Sequence, residues 1–235
     1  MAGTAIFDLD RTLTRQATWL RFVWRFNRRR PLFWFQIPWL AACAIAHKAG
    51  LIDRTAIKNH FLATLGWASR EQVERAGRDF AARESETGLR EGARDLIARH
   101  HGVGDRLYLA TAASDFIAKP VGDMLGVDGI FCTQTAWKTA SKKGPVVDGR
   151  NCYGDEKLRC IQAALARGDL TRPLTIYSDH VSDLQLLILA NHGVAANPSK
   201  ALRDLALENG LSIIDLNLIQ ADLPGAQTTM LEDTN

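Results

Sequence analysis

Two aspartates that follow a short apolar run are the first residues of the chain whose types and spacing could do chemistry. Residues 5–7 read Ala-Ile-Phe, which predicts a buried strand, and Asp8 and Asp10 follow where that strand should end. Ligands of parallel α/β sheets bind at the carboxyl ends of strands, and alternation along an extended chain turns Asp8 and Asp10 to the same side. Neighbouring carboxylates repel each other unless a cation or a proton lies between them. The pair is typical either of a catalytic or cation-binding site or of a plain polar turn, and its spacing alone favours the turn.

Three further groups of polar residues stand where later elements are predicted to begin or end. Thr111 to Ser114 follow a buried strand and precede a helix, where free backbone N–H groups can bind an anion. Asp179 and Asp183 follow another strand at a spacing of four residues, and Lys157 opens a helix between these two groups in the sequence. Each group alone has an ordinary structural explanation, as a helix cap or a surface charge. Their combination and order predict one shared site.

The elements that position these groups alternate between strand and helix after Gly88. Apolar runs predict strands, and amphipathic runs bounded by glycine or polar residues predict helices. We expect strands at 106–110, 129–133, 174–177 and 194–196, helices at 89–101, 114–125, 155–167, 182–190 and 199–209, and a hairpin within 137–151. This alternation predicts an α/β fold in which a parallel sheet is covered by helices on both faces.

Residues 15–85 differ from the rest of the chain because they show only helical spacing and are strongly basic at their start. From Arg15 to Lys58 there are nine Lys or Arg residues against one acid, although the whole chain has a net charge of only +3. Five of the six tryptophans lie in this segment, and residues 31–46 carry no charge. Sixteen residues are too few for a membrane-spanning helix, which needs about 20. The pattern is typical either of a segment in a membrane interface or of helices that pack on each other, and both remain open.

Local signals predict how the helices of this segment begin and which faces they bury. Asp53 and Ser69 are suitable N-caps, and Gln72 completes a capping box with Ser69. On the first helix the apolar and basic residues fall on opposite sides, the basic ones being Arg21, Arg25 and Arg28.

Length and composition restrict the broad class of the protein. The 235 residues fit one domain with a large insert or two small domains, and 46% hydrophobic with 23% charged residues is ordinary for a globular protein. The four cysteines have no metal-ligand spacing, which predicts reduced and mostly buried thiols. The first residues lack the pattern of a signal peptide, so we expect a cytoplasmic location.

Four stretches together resemble the motifs of one known family. FDLDRTLT, ATAAS, NCYGDEK and YSDHVSDLQLL, in this order, are similar to the motifs of the haloacid dehalogenase-like phosphatases, in the branch that contains phosphoserine phosphatase. The resemblance implies a Rossmann-type core of residues 1–14 and 86–217 and an inserted all-helical cap of residues 15–85. Residues 218–235 are expected to form a loose tail.

The resemblance also implies a role for each acidic residue of the motifs. Asp8 would be the nucleophile that forms an aspartyl-phosphate, and Asp10 would protonate the leaving oxygen and then activate water. Mg²⁺ would be held by Asp8, the backbone carbonyl of Asp10 and Asp179. Asp183 would orient the motif lysine or a metal-bound water.

The same resemblance places the phosphoryl-binding residues. Thr111 and Ala112 would bind the phosphoryl oxygens, and Lys157 would offset the negative charge of the nucleophile and the phosphate. Arg11 stands where the family often has glycine, and its side chain could contact substrate. Ala17 stands where phosphoserine phosphatases carry a glutamate that binds the amino group of serine, which argues against phosphoserine as the substrate.

The composition of the predicted cap suggests a substrate class. A basic, tryptophan-rich segment favours an anionic lipid phosphate such as phosphatidylglycerophosphate, bound at a membrane surface through residues 19–46 on the cytoplasmic face. The segment is also similar to the cap of bacterial phosphatidylglycerophosphate phosphatases. A small soluble phosphomonoester is the alternative substrate, and a catalytically silent membrane-binding protein is the alternative outside enzymes. Nucleic acid is not expected as a partner, because the arginines alternate with apolar residues.

Overall fold

A six-stranded parallel sheet forms the centre of the computed structural model, which describes residues 2–137 and 144–218. The order of its strands is β3-β2-β1-β6-β7-β8, and β4 and β5 form a separate antiparallel pair. The strands are β1 (Thr4–Phe7), β2 (Arg106–Ser114), β3 (Gly129–Thr133), β4 (Thr135–Trp137), β5 (Pro145–Val147), β6 (Leu174–Ser178), β7 (His192–Ala196) and β8 (Ser212–Ile214).

Strand β1 lies inside the sheet between β2 and β6, and all four of its residues are buried. Alternation sends its side chains to two separate apolar clusters, with Phe7 in one and Ile6 in the other. Apolar clusters on both faces require a helical layer on each side. The predicted α/β fold with helices on both faces is therefore confirmed.

Among the described residues, five α-helices lie between β1 and β2 in the sequence, and four more follow β2. The helices of the described residues are α1 (Thr18–Asn27), α2 (Pro31–Lys48), α3 (Arg54–Ala63), α4 (Arg70–Arg83), α5 (Glu91–Gly102), α6 (Asp115–Leu125), α7 (Asp155–Arg167), α8 (Leu184–Leu189) and α9 (Lys200–Glu208). Both predicted N-caps are confirmed: Asp53 accepts a hydrogen bond from the Ala56 amide, and Ser69 forms a capping box with Gln72.

The helical insert, meaning residues 15–85, packs on the sheet region through aromatic side chains. Phe22 of α1 is buried and contacts Phe80 of α4 edge-on, with ring centroids 5.7 Å apart. The Phe22 ring also lies 5.4 Å from that of Phe116, which belongs to α6 beside the sheet. An added Cβ at Gly77 would collide with the backbone of Phe116, so α4 and α6 approach closely.

Several predicted element boundaries were wrong. Strand β2 continues to Ser114, so Thr111 lies inside the strand and not in a loop after it. The helix predicted at 182–190 begins with a separate 3₁₀ turn, Val181–Asp183, and β8 follows β7 where the sequence predicts no further strand. Asp8 and Asp10 keep extended backbone angles, and residues 9–13 then form a turn that the Thr14 amide closes on the Leu9 carbonyl at 3.0 Å. The hairpin is present as β4 and β5, while residues 138–143 and the predicted loose tail, apart from residue 218, lie outside the described residues.

The apolar helix α2 has 18 residues, and many of its large side chains face outward, including Phe35 at 80% exposure. Across residues 2–137 and 144–218, no helix combines the length and the hydrophobicity needed to span a bilayer.

Candidate active site

A buried lysine contacts an aspartate of the first motif and an aspartate of the last motif in the sequence. The Lys157 ammonium, in the first turn of α7, donates to Asp8 Oδ1 at 2.8 Å and to Asp183 Oδ2 at 2.7 Å. The same Asp183 oxygen accepts a hydrogen bond from Ser178 Oγ at 2.8 Å. Because β1 and β6 are neighbours, the ends of both strands and the start of α7 meet at one place.

Charge and burial shift the pKa values of both Asp8 and Lys157. Burial raises the pKa of Asp8 to about 7 although Lys157 lowers it, and the charges of Asp183 and Asp179 raise it further. For Lys157, burial disfavours the charged form, but attraction by Asp8 and Asp183 prevails and the pKa is raised. The lysine therefore stays charged, while the carboxylates around it still repel one another.

Asp179 lies beside Asp8, and the hydroxyl of Thr12 connects them. Thr12 Oγ1 is 3.0 Å from Asp8 Oδ2 and 3.3 Å from Asp179 Oδ1, and it accepts a hydrogen bond from the Asp179 amide at 3.0 Å. Thr12 was not predicted as a site residue, although it lies in the first motif. Burial raises the pKa of Asp179, while the charge of His180 and the hydrogen bond from Thr12 act in the opposite direction.

Asp10 faces the helical insert. Its Oδ1 accepts hydrogen bonds from the backbone amide of Thr18 at 2.6 Å and from Thr18 Oγ1 at 2.7 Å. Thr18 is the first residue of α1, whose N-cap residue Ala17 provides no side-chain hydrogen bond. Asp10 thus caps the first helix of the insert from outside it, a role that the sequence did not indicate.

Thr111 is fully buried in β2, and its hydroxyl accepts a hydrogen bond from the Ala113 amide at 3.0 Å. The hydroxyl proton therefore remains available to a ligand oxygen. Among the described residues no hydrogen bond joins Thr111 to Asp8 or Lys157, so its assignment to the phosphoryl group stays a prediction.

Ala112 is approached by a lysine that the sequence analysis did not single out. The ammonium of Lys58, on α3 of the insert, donates to the Ala112 carbonyl and, at 3.1 Å, to Asn151 Oδ1. Thr133 Oγ1 binds the same two acceptors, at 3.0 and 2.8 Å. Lys58 is buried, and in sequence it is simply one more cation of the basic segment, with no local signal that distinguishes it.

Arg11 adopts a backbone conformation that favours glycine, with φ of 65°. Its carbonyl accepts hydrogen bonds from Arg90 Nε at 2.9 Å and Nη2 at 2.7 Å, which hold the turn in place. Its side chain is exposed, so a contact with substrate stays a prediction.

The donor atoms around Asp8 fit a hard divalent cation. In the part of the chain that the structure describes, no group of three or more His, Cys, Asp or Glu side chains could hold a metal ion. The predicted set is smaller, because it consists of the Asp8 and Asp179 carboxylates and one backbone carbonyl, that of Asp10. Both carboxylates have a raised pKa through burial, and the Asp179 charge is one of those that raise the pKa of Asp8. A cation between them would relieve this repulsion, and oxygen donors suit Mg²⁺.

Comparison with known proteins identifies the family. A sequence model of the haloacid dehalogenase-like hydrolases matches residues 5–187, which include Asp8, Lys157 and Asp183. The chain belongs to this family. The predictions of the superfamily and of a hydrolase are confirmed, whereas the branch and the cap type stay predictions.

The individual relatives are similar to this chain at low sequence identity. Phosphoserine phosphatase SerB1 of Mycobacterium tuberculosis is 26% identical over 224 residues, which cover 93% of this chain and 72% of the relative. A histidinol-phosphatase of Neisseria meningitidis is 27% identical over 173 residues, covering 72% of this chain and 78% of the relative.

Solved structures share the fold over nearly the whole chain. A protein of unknown function from Bordetella pertussis Tohama I has a TM-score of 0.80 at 25% identity and covers 92% of this chain and 99% of its own. A substrate-bound phosphoserine phosphatase has a TM-score of 0.64 at 16% identity, with 91% and 93% covered. At this identity the second likeness speaks for the fold alone.

Proposed function

We propose that the protein is a Mg²⁺-dependent phosphatase of phosphomonoesters that acts through a phosphorylated Asp8. The observation that carries the proposal is the contact of Lys157 with both Asp8 and Asp183 inside a family of hydrolases. Lys157 offsets the charge of the nucleophile, which allows a phosphate dianion to approach it. Relatives named as phosphatases support the same chemistry.

The proposed reaction has two steps. In the first, a carboxylate oxygen of Asp8 forms a bond to phosphorus, the bond from phosphorus to the ester oxygen breaks, and Asp10 gives its proton to the leaving oxygen. In the second, Asp10 takes a proton from water, the water oxygen bonds to phosphorus, and the bond to Asp8 breaks. Inorganic phosphate and the free carboxylate of Asp8 are regenerated.

Mg²⁺, when bound by Asp8, Asp179 and the Asp10 carbonyl, supplies positive charge that stabilises the phosphoryl oxygens. The chain's own groups do the rest of the positioning. Thr12 orients the Asp8 and Asp179 carboxylates toward each other. Thr111 and Ala112 line the end of β2 beside β1, where they bind the phosphoryl oxygens.

The lead substrate is an anionic lipid phosphate, and the support comes from the helical insert. Eight of the large apolar side chains that are exposed lie between residues 20 and 51: Leu20, Trp24, Leu32, Trp34, Phe35, Trp39, Ile45 and Leu51. Such a surface, with arginines beside it, suits contact with a membrane through residues 19–46, on the cytoplasmic face. Phosphatidylglycerophosphate is an example of the substrate class.

A small soluble phosphomonoester is the second candidate, because the phosphoserine phosphatase and histidinol-phosphatase relatives are named for such substrates. Ala17 argues against phosphoserine itself, since its methyl group offers no acceptor for an ammonium group.

The test is phosphate release in the presence and absence of Mg²⁺, with a lipid phosphomonoester in mixed micelles and a panel of soluble phosphomonoesters. Asp8→Asn provides the blank. The lipid should be hydrolysed with the highest kcat/KM. A soluble ester that is preferred would replace the lipid as substrate, and no release above the blank would contradict the phosphatase proposal.

A further inference from the structure

A groove on the helical insert, separate from the acidic site, is lined by four arginines from two helices. It encloses about 470 Å³ between α1 and the end of α4. The cations are Arg21, Arg25 and Arg28 along α1 and its end, and Arg83 at the last position of α4. The side chains of Trp24 and Phe80 complete its walls.

The positive charge of this groove is only partly neutralised. Arg21 donates to the buried carboxylate of Glu84 at 2.6 Å. Arg25, Arg28 and Arg83 form no ion pair with any carboxylate among the described residues, and Glu86 is the one other acid that lines the groove there. Four arginines against two glutamates leave the groove cationic.

The arginines lie close enough together for their charges to repel one another. The pKa of Arg25 is lowered by partial desolvation and then by repulsion from Arg83, Arg28 and Arg21. Like charges held together in this way are unfavourable unless an anion joins them. Guanidinium groups bind phosphate oxygens in pairs of parallel hydrogen bonds, so a phosphate group is the anion that this groove suits best.

An exposed aromatic surface borders the groove. Trp24 stands edge-on to Trp34 at a centroid distance of 5.2 Å, and Trp34 Nε1 donates to the Arg28 carbonyl at 3.2 Å. Trp24 and Trp34 are about half exposed, and Leu20, four residues before Trp24, and Phe35, next to Trp34, are more exposed still. A phosphate site at the edge of exposed indole and phenyl rings has the chemistry of a membrane interface, where tryptophan rings lie at the level of the headgroups.

We propose that this arginine groove binds the phosphate of an anionic phospholipid headgroup while Trp24 and Trp34 enter the interface beside it. This proposal rests on the membrane contact proposed above and adds a headgroup site that is distinct from the catalytic carboxylates. The helix that bears the groove also begins at Thr18, which holds Asp10. A headgroup bound there would therefore place the mouth of the acidic site near the membrane surface.

The test compares sedimentation with phosphatidylcholine vesicles and with vesicles that also contain phosphatidylglycerol. The triple variant Arg25→Gln, Arg28→Gln, Arg83→Gln removes the three arginines that form no ion pair within residues 2–137 and 144–218. The matched control, Arg75→Gln, Arg94→Gln, Arg203→Gln, removes the same charge from exposed positions outside the groove. At about 1 kcal/mol for each arginine near the surface, the groove variant should bind anionic vesicles on the order of 100-fold more weakly than the wild type. The control variant should stay within a few-fold.

Three results would overturn the proposal. The two triple variants could lose affinity equally, which would mean general charge attraction. The wild type could bind zwitterionic vesicles as well as anionic ones, which would mean that the groove does not contribute to membrane contact. It could also bind soluble glycerophosphate as tightly as it binds anionic vesicles, which would mean a site for a free anion. Asp8→Asn, which removes the nucleophile, should bind vesicles like the wild type, so a failure of membrane binding is distinguished from a failure of the phosphatase proposal.

Discussion

Two buried lysines, one in the sheet region and one in the helical insert, have pKa values that are shifted in opposite directions. Lys157 is 3% exposed and contacts two carboxylates, while Lys58 is 7% exposed and contacts a backbone carbonyl and an amide oxygen. The pKa of Lys157 is raised by its acidic partners against the effect of burial. Burial lowers the pKa of Lys58 to about 8, although the negative charges of Asp10 and Asp115 oppose this.

The two lysines therefore contribute to stability with opposite sign. Lys157 neutralises carboxylates that would otherwise repel each other, so its removal harms both structure and chemistry. Lys58 is a buried cation without a carboxylate partner among the described residues, which is unfavourable for folding. A group that is retained at a cost to stability, beside Ala112 for which we propose a contact with the phosphoryl group, is typical of a functional site.

The largest effect is expected from Lys157→Met. Two buried carboxylates would lose their cation, so the free energy of unfolding of the metal-free protein at pH 7 should fall by about 3–5 kcal/mol. Urea unfolding in EDTA measures this, with Lys119→Met, at an exposed lysine of α6, as the control. The loss should shrink as acid protonates Asp8, whose pKa is raised. A variant as stable as the wild type at pH 7 would contradict the pairing.

A smaller effect of opposite sign is expected from Lys58→Met. Below pH 8 the wild type buries a charged lysine, so the variant should be more stable by about 1–2 kcal/mol at pH 7, yet slower in phosphate release. Between pH 8 and 10.5 the wild-type lysine is neutral when folded and charged when unfolded, so wild-type stability rises with pH and the advantage of the variant disappears. Urea unfolding at a series of pH values measures the gap.

Lys48→Met, at an exposed lysine at the end of α2, is the control for this series, because it removes the same charge from the surface. If Lys58→Met is destabilised at pH 7, or if the gap does not change with pH, Lys58 has a partner that neutralises it, and the contrast with Lys157 fails.

The smallest effect is expected from Arg11→Gly. Glycine relieves the positive φ of residue 11 but adds freedom to the unfolded chain, so stability should change by less than about 1 kcal/mol. If the Arg11 side chain contacts substrate, KM should rise several-fold with kcat nearly unchanged, as steady-state kinetics would show. An unchanged KM would remove Arg11 from the substrate-binding residues.

Sequence reasoning placed the residues of the sheet region well, because local patterns determine them. Buried strands end at Phe7 and Ser178, and parallel pairing brings their ends together whatever lies between them in the chain. That is sufficient to predict that Asp8, Asp179, Asp183 and Lys157 converge. The strand order, with β1 between β2 and β6, was not predicted, because right-handed connections fix the hand of each crossover but not the order of the strands.

The contacts made by the insert could not be predicted in this way. Lys58 reaches Ala112, and Thr18 reaches Asp10, only because the helices dock on the sheet region in one orientation. That orientation depends on side-chain packing, such as Phe22 against Phe116, and no periodicity in the sequence encodes it. The missed strand β8 has only three residues, too few for an alternation to be recognised.

The most direct test of the central claim is to find the phosphoryl group on Asp8. Protein incubated with substrate and Mg²⁺ is quenched in acid, digested and examined by mass spectrometry. The peptide with Asp8 should carry one phosphoryl group in the wild type, and never in Asp8→Asn. Phosphate release without any phosphorylated peptide, or phosphorylation at another residue, would contradict the mechanism.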